Sequence, residues 1–174
     1  LGNKSSSLTI KNITITVTYT PPHTKPTVTN VKLGGGTSAV YSGPSTDATL
    51  SWSGTAGSYN TISKYLVYRS VNGGAYALLD ETTSTSMTVK SPATAGDNHR
   101  YYVIAVGEYS NSDAVYSPFQ HTRKAPGAPT GVTLNPTSKH QGGAVTVSWT
   151  ASAAGVGVGI SKYEVYLGST LLGN

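Results

Sequence analysis

The sequence predicts an all-β protein made of β-sandwiches in tandem, and three observations carry that expectation. Charged residues make up only 11% of the 174 residues, and 12 Tyr stand against 2 Trp and 1 Phe. Thr, Val, Ile and Tyr, which fill much of the chain, have branched or flat side chains that pack well on a pleated surface. No stretch places Ala, Leu, Glu and Lys at the spacing of an amphipathic helix. Finally, Ile62-Ser63-Lys64-Tyr65 recurs letter for letter as Ile160-Ser161-Lys162-Tyr163. Each copy follows a strand ending in Trp, Ala48 to Trp52 and Ala144 to Trp149, and each opens with Pro-Thr, at Pro26-Thr27 and Pro129-Thr130. That order, kept twice, is what duplication of a folding unit leaves.

Residues 1–22 hold Leu8-Thr9-Ile10 and an alternating run from Ile13 to Tyr19, with a change of phase at Lys11-Asn12 that predicts a bulge or kink. A lone strand leaves its edges and apolar face without partners. This segment is therefore expected to be the closing strand of a preceding β-domain or an extra strand of the next one. Residues 23–124 are expected to form one complete domain. Period-2 alternation puts Ala48, Leu50 and Trp52 on one face of a strand, and Tyr65 and Val67 on one face of the next. Asn72-Gly73 tolerates positive φ and predicts a tight hairpin into Ala75 to Leu79.

A further strand is expected around Thr85, Met87 and Val89. Arg100 to Val106 is apolar on both faces and reads as a central strand, followed by a last one from Val115 to Arg123 in which Pro118 predicts an edge. Short strands with turn signals between them, in a span of this size, indicate a sandwich of the immunoglobulin class. Lys124 to Pro129 holds two prolines that fix φ, so 125–128 are read as a short stiff linker. Residues 129–174 are then the N-terminal half of a second domain. Its apolar positions, Val145, Val147, Trp149, Tyr163 and Val165, would lack an opposing sheet. Burying one such side chain is worth roughly 1.5–3 kcal/mol, so the half is not expected to fold alone. The chain opens on Leu1 and is expected to be cut from a longer protein that continues past Asn174; strands donated by another chain are the alternative.

Trp52, Tyr65-Leu66-Val67-Tyr68 and Tyr101-Tyr102-Val103-Ile104-Ala105 together resemble the fibronectin type III pattern. The resemblance covers Pro26 to about Lys124 fully, and Pro129 to Asn174 in part. It implies that Trp52, Tyr65 and Tyr101 are structural, in a core with Leu50, Val67, Val103 and Ala105. The family places Leu-x-Pro ahead of the sixth-strand Tyr, whose hydroxyl bonds back to the backbone; here Ser91 to His99 stands in that place.

Composition and motifs narrow the function. There is no Cys, so no disulfide framework or thiolate metal site is available. The net charge of +5 comes from 12 Lys and Arg that are dispersed singly, with only Arg123 and Lys124 adjacent. A solvated surface is expected rather than a nucleic-acid footprint. No apolar run is long enough to insert into a membrane. The four His are far apart in sequence, and Asp97-Asn98-His99 is the one place where an acid adjoins a His. With no nucleophile in a strained turn beside it, no catalytic residue, cofactor or metal is expected. The acids do not alternate as calcium ligands. Gly34-Gly35-Gly36 and Gly155-x-Gly157-x-Gly159 open no helix and read as flexible loops.

Tyr59, Tyr76, Tyr109 and Tyr116 are not demanded by the core pattern, which makes Tyr109, Tyr76 and Tyr59 candidate ligand contacts, for a sugar or a protein. Cross-strand packing is the competing reading for each. The expected role is a non-catalytic structural spacer or adhesion module of a larger phage virion protein, of the tail, baseplate or fibre, in the virion or at a cell surface. An accessory or glycan-binding module of a secreted bacterial carbohydrate-active enzyme or surface protein is the alternative. Expected partners are other domains or subunits of the same assembly, and a cell-surface glycan.

Overall fold

The computed structural model describes residues 12, 14–19, 21–137 and 142–173. The chain between Thr27 and Thr122 is a two-layered β-sandwich of the immunoglobulin class, antiparallel except at one edge. One layer holds β1 (Thr27–Leu33), β3 (Asp47–Thr55) and β6 (Ser86–Lys90), in the order β1-β3-β6. The other holds β2 (Val40–Ser42), β4 (Ile62–Val71), β5 (Ala77–Thr82), β7 (Asn98–Gly107), β8 (Val115–Tyr116) and β9 (Gln120–Thr122). Its order is β2-β9-β7-β4-β5, with β8 also paired to β7.

Alternation decides what faces inward. β3 presents Leu50 and Trp52, β4 presents Tyr65 and Val67, and β7 presents Tyr101, Val103 and Ala105; all seven are buried, with Val28, Val31, Leu33 and Val89 completing one cluster. Trp52 and Tyr65 meet edge to face across the layers, with centroids 5.5 Å apart. That geometry sets the positive ring edge against the negative face. The β4–β5 hairpin turns at Asn72 and Gly73, both at positive φ, and the Gly74 N–H bonds to Val71 O at 2.9 Å. The strand it leads into begins at Ala77 rather than Ala75.

The Tyr101 hydroxyl lies 3.3 Å from Lys90 O. It therefore bonds back to the backbone although Leu-x-Pro is absent. Gln120 completes the arrangement, its amide nitrogen 2.8 Å from the Tyr101 oxygen and 3.2 Å from Lys90 O, and its oxygen 3.0 Å from the Ser91 N–H. Burial pushes the Tyr101 phenol up to about 12.

Three expectations need correction. The last strand is not one run: the chain breaks at Pro118 into β8 and β9, because proline cannot donate to the ladder there. The edge is formed instead by β2, which runs parallel to β9 through Val40↔Gln120 and Ser42↔Thr122. In the second copy, β10 (Thr130–Asn135) pairs with β11 (Thr146–Thr150), and β12 (Val165–Leu167) with β13 (Thr170–Gly173). Ile160 to Tyr163 is not in a strand. Its counterpart in β4 is held by β5 and β7; among the described residues nothing plays that part for the second copy. Of the N-terminal run, Leu8 to Lys11 and Ile13 lie outside the described residues. Residues 14–19 belong to no strand and leave Ile15, Val17 and Tyr19 exposed, so the reading as an extra strand of the sandwich finds no pairing there.

Candidate functional site

The outward phase of β4 and β7 gathers aromatic side chains that sequence considered singly. Tyr68 on β4 and Tyr102 on β7 are register partners, and their rings stack at 4.6 Å. Tyr76 reaches back from the hairpin to Tyr102 at 4.8 Å. Tyr116 on β8 meets Tyr102 at 5.5 Å and Tyr76 at 5.8 Å. Beyond Tyr116 the guanidinium of Arg100 lies between two rings, 5.0 Å from the centroid of Tyr116 and 4.9 Å from that of Phe119. Its Nε donates to Ser117 O at 3.3 Å. Phe119 leads to His121 at 5.7 Å, and His121 stacks on Tyr41 at 4.9 Å. An aromatic belt thus crosses the larger sheet from the β4–β5 hairpin to β2.

The belt is partly wet. Tyr116 and Tyr41 are 47% and 43% exposed, whereas Tyr68, Tyr76 and Tyr102 are half-buried among each other. Burial raises the phenols of Tyr76 and Tyr102 above the ordinary value; Arg100 pulls Tyr76 the other way, and neighbouring phenols push both further up. Among the described residues, the hydroxyls of Tyr68, Tyr76, Tyr102 and Tyr116 have no protein hydrogen-bond partner, and Arg100 has no carboxylate partner. Glu81, on β5 beside β4, is already paired with Lys64.

Tyr109 and Tyr59 lie elsewhere. Tyr109 stacks on His23 at 4.9 Å and gives its N–H to Asn60 Oδ1 at 3.1 Å. The Asn60 amide nitrogen in turn donates to Thr24 O at 3.0 Å and Ser110 O at 3.1 Å. Asn60 is fully buried and ties the entering segment to two loops. Tyr59 is exposed, at φ 50°.

These loops form a joint that occurs twice. Gly57 pairs with Asn60 in an isolated bridge, and Gly155 pairs with Val158 in the same way, 98 residues on. A Cβ on Gly57 would lie 1.9 Å from Thr24 O, and one on Gly155 would lie 1.9 Å from Lys124 O. In each copy, then, the segment leading into the repeat lies against a glycine that has no room for a side chain. In the second copy Lys124 also pairs with Val156, and Gly157, at φ +63°, packs on the Tyr41 ring at the end of the belt. Tyr59 occupies the position matching Gly157. The glycine-rich loop at 155–159, expected to be flexible, is a docked contact.

The Asp97-Asn98-His99 neighbourhood is structural in its geometry. His99 is buried on β7 with Nδ1 3.1 Å from Lys90 O, which fits a ring protonated at Nδ1 and donating there. Burial lowers its pKa; the Lys90 carbonyl opposes that, Arg69 adds to it, and Asp97 opposes it. Among the described residues no three His, Asp or Glu side chains gather where they could hold a metal ion, and no helix is long and apolar enough to cross a membrane.

No protein-family model matches the chain, and no curated protein matches it. Among solved structures, it is similar to a chain described as the twitchin kinase region from C. elegans (Fn31-NL-kin-CRD-Ig26). The identity is 17% and the TM-score 0.39, over 45% of this chain and 14% of that one.

Proposed function

We propose that the chain is a non-catalytic spacer and adhesion segment of a larger extracellular assembly, built from fibronectin type III-like units and belonging to a phage tail, baseplate or fibre protein. The repeated joint carries this reading. A spacer must hold its ends at a set distance, so its linkers must be stiff and docked rather than free coils. Here the Pro126-Gly127-Ala128-Pro129 linker leaves Lys124 already bridged to Val156, with Gly155 against Lys124 O and Gly157 on Tyr41. The same glycine-on-carbonyl contact at Thr24 and Gly57 is what a repeating rod would use at each step. The virion assignment comes from the fibronectin-like pattern behind a Thr- and Val-rich segment. The absence of Cys is in keeping with it.

Immunogold microscopy with an antibody against the 174-residue chain tests the assignment on particles and cells of the source. Label on the virion tail is expected. Label confined to the cell wall or culture medium would overturn the virion role and favour an accessory module of a secreted carbohydrate-active enzyme, the reading that the aromatic belt supports.

A further inference from the structure

We infer that the aromatic belt binds an extended acidic glycan, with Arg100 receiving a sugar carboxylate and the tyrosines around it receiving the sugar rings. The inference rests on the surface alone and holds whichever parent protein the chain belongs to.

Arg100 is not an ordinary solvated cation. Its guanidinium is fixed between Tyr116 and Phe119, 5.0 and 4.9 Å from their centroids, and its Nε is committed to Ser117 O. Both terminal nitrogens keep their N–H groups, and the planar fork that they form matches a carboxylate in bidentate fashion. Among the described residues no acidic side chain pairs with it. A cation held rigid on a half-buried aromatic surface, with its counter-charge missing, complements an anion from outside.

The surroundings select the kind of anion. Tyr68, Tyr102, Tyr76 and Tyr116 form a continuous patch of rings between 4.6 and 5.8 Å apart, carrying hydroxyls with no partner among the described residues. A sugar ring has the matching character, C–H faces for the aromatic surface and hydroxyls for the phenols. A nucleic acid would want a broader basic field, whereas the 12 Lys and Arg of the chain are dispersed. The belt also lies across several strands rather than in a closed pocket, which suits a polymer that runs past rather than a small molecule. At its far end Tyr41 is capped by Gly157 of the second copy, so a bound chain is expected to lie on β4, β7 and β8.

Affinity electrophoresis of the full chain through gels containing polygalacturonate, hyaluronate, laminarin, hydroxyethyl cellulose or duplex DNA tests this. Retardation by the two uronate polymers beyond that by the neutral glucans and DNA is expected. Arg100→Lys, which keeps the charge but loses the fork, and Tyr116→Ser, at an exposed ring, should each weaken it by about tenfold. Tyr109→Ser, on the His23 stack at the other end, should leave it unchanged. Near-UV circular dichroism checks that each variant keeps its packed aromatics. Absence of retardation by any uronate polymer, equal retardation by DNA or by neutral glucans, or uronate binding unaltered in folded Arg100→Lys and Tyr116→Ser would overturn the inference.

Discussion

The two copies of Ile-Ser-Lys-Tyr have the same letters and different structures. In the first copy the tetrapeptide opens β4, pairing with β7 through Lys64↔Val106 and Tyr65↔Ala105. In the second it is irregular. The aromatic pair beside it hardly changes: Trp52 and Tyr65 lie 5.5 Å apart at 68°, Trp149 and Tyr163 5.5 Å apart at 57°. What changes is exposure, 5% for Trp52 and 36% for Trp149. A near-neighbour contact is thus encoded locally, whereas a strand needs flanking strands to take up its backbone donors and acceptors. The open side of the second copy is a cleft of about 440 Å³ lined by Val132, Leu134, Trp149, Tyr163 and Leu172 among others, where the first copy has a filled core.

The comparison is broken most sharply at Trp52. Trp52→Ala empties a buried site between the layers and is expected to cost about 3–5 kcal/mol, a large fraction of the stability of a domain of this size. The urea midpoint of the main transition checks it. A midpoint within a few tenths molar of the parent would remove Trp52 from the core.

Asn60 marks the second difference, because Val158 stands at the matching position and cannot hydrogen-bond through its side chain. Asn60→Ala leaves Thr24 O, Ser110 O and the Tyr109 N–H without that partner. A cost of about 1–3 kcal/mol is expected for such buried groups. Hydrogen exchange should rise at Tyr109 while the β4–β7 ladder keeps its order of protection. Loss confined to β4 and β7 instead would mean that Asn60 supports the sheet rather than the joint.

The seven inward residues of β3, β4 and β7 were legible because alternation over several residues needs no knowledge of partners. The Asn72-Gly73 turn was legible for a similar local reason. Three features were not. The parallel pairing of Val40 to Ser42 with Gln120 to Thr122 joins segments about 80 residues apart, and three residues give no periodicity to read. The belt needed register: Tyr68 and Tyr102 face outward in their own strands, but only the β4–β7 pairing puts them opposite one another. The loop at Gly155 to Gly159 looked mobile because glycine signals both freedom and close approach, and sequence cannot tell which applies. The recurrence of Gly57 as Gly155, at the same spacing as the Ile-Ser-Lys-Tyr repeat, was the signal that could have identified the joint.

A smaller effect separates the copies by pH. His99 is buried in the first sandwich, and no His occupies the described strands of the second. Its pKa is lowered in the folded state, chiefly by burial, with Arg69 adding and the Lys90 carbonyl and Asp97 opposing. The unfolded chain therefore takes up a proton first as pH falls. His99 contributes nothing unfavourable above about 6.5, the unfolded value. Stability should then decline as pH drops from there through the lower folded pKa, and level off below it. Urea midpoints between pH 7.5 and 5 check this, and His99→Gln should flatten the slope over that window. An equal slope in the variant would assign it to other groups.

The smallest expected effect sharpens the comparison from the other side. Trp149→Ala removes a tilted ring contact with Tyr163, of a kind worth about 0.5–1.5 kcal/mol where it forms, but on a face that is already open. The first sandwich shares with the second copy the Lys124–Val156 bridge and the contacts of Gly155 and Gly157 with Lys124 and Tyr41, and none of these involves Trp149. Its unfolding midpoint should therefore not move. Because the chain has only 2 Trp, the same variant leaves Trp52 as the sole indole reporter, so emission should shift to the blue as the exposed contribution disappears. Trp52→Ala should shift it to the red, leaving the half-wet Trp149. If Trp149→Ala instead lowered the midpoint as far as Trp52→Ala does, the two copies would form one cooperative unit, and the open cleft would be part of the core that keeps the first sandwich folded.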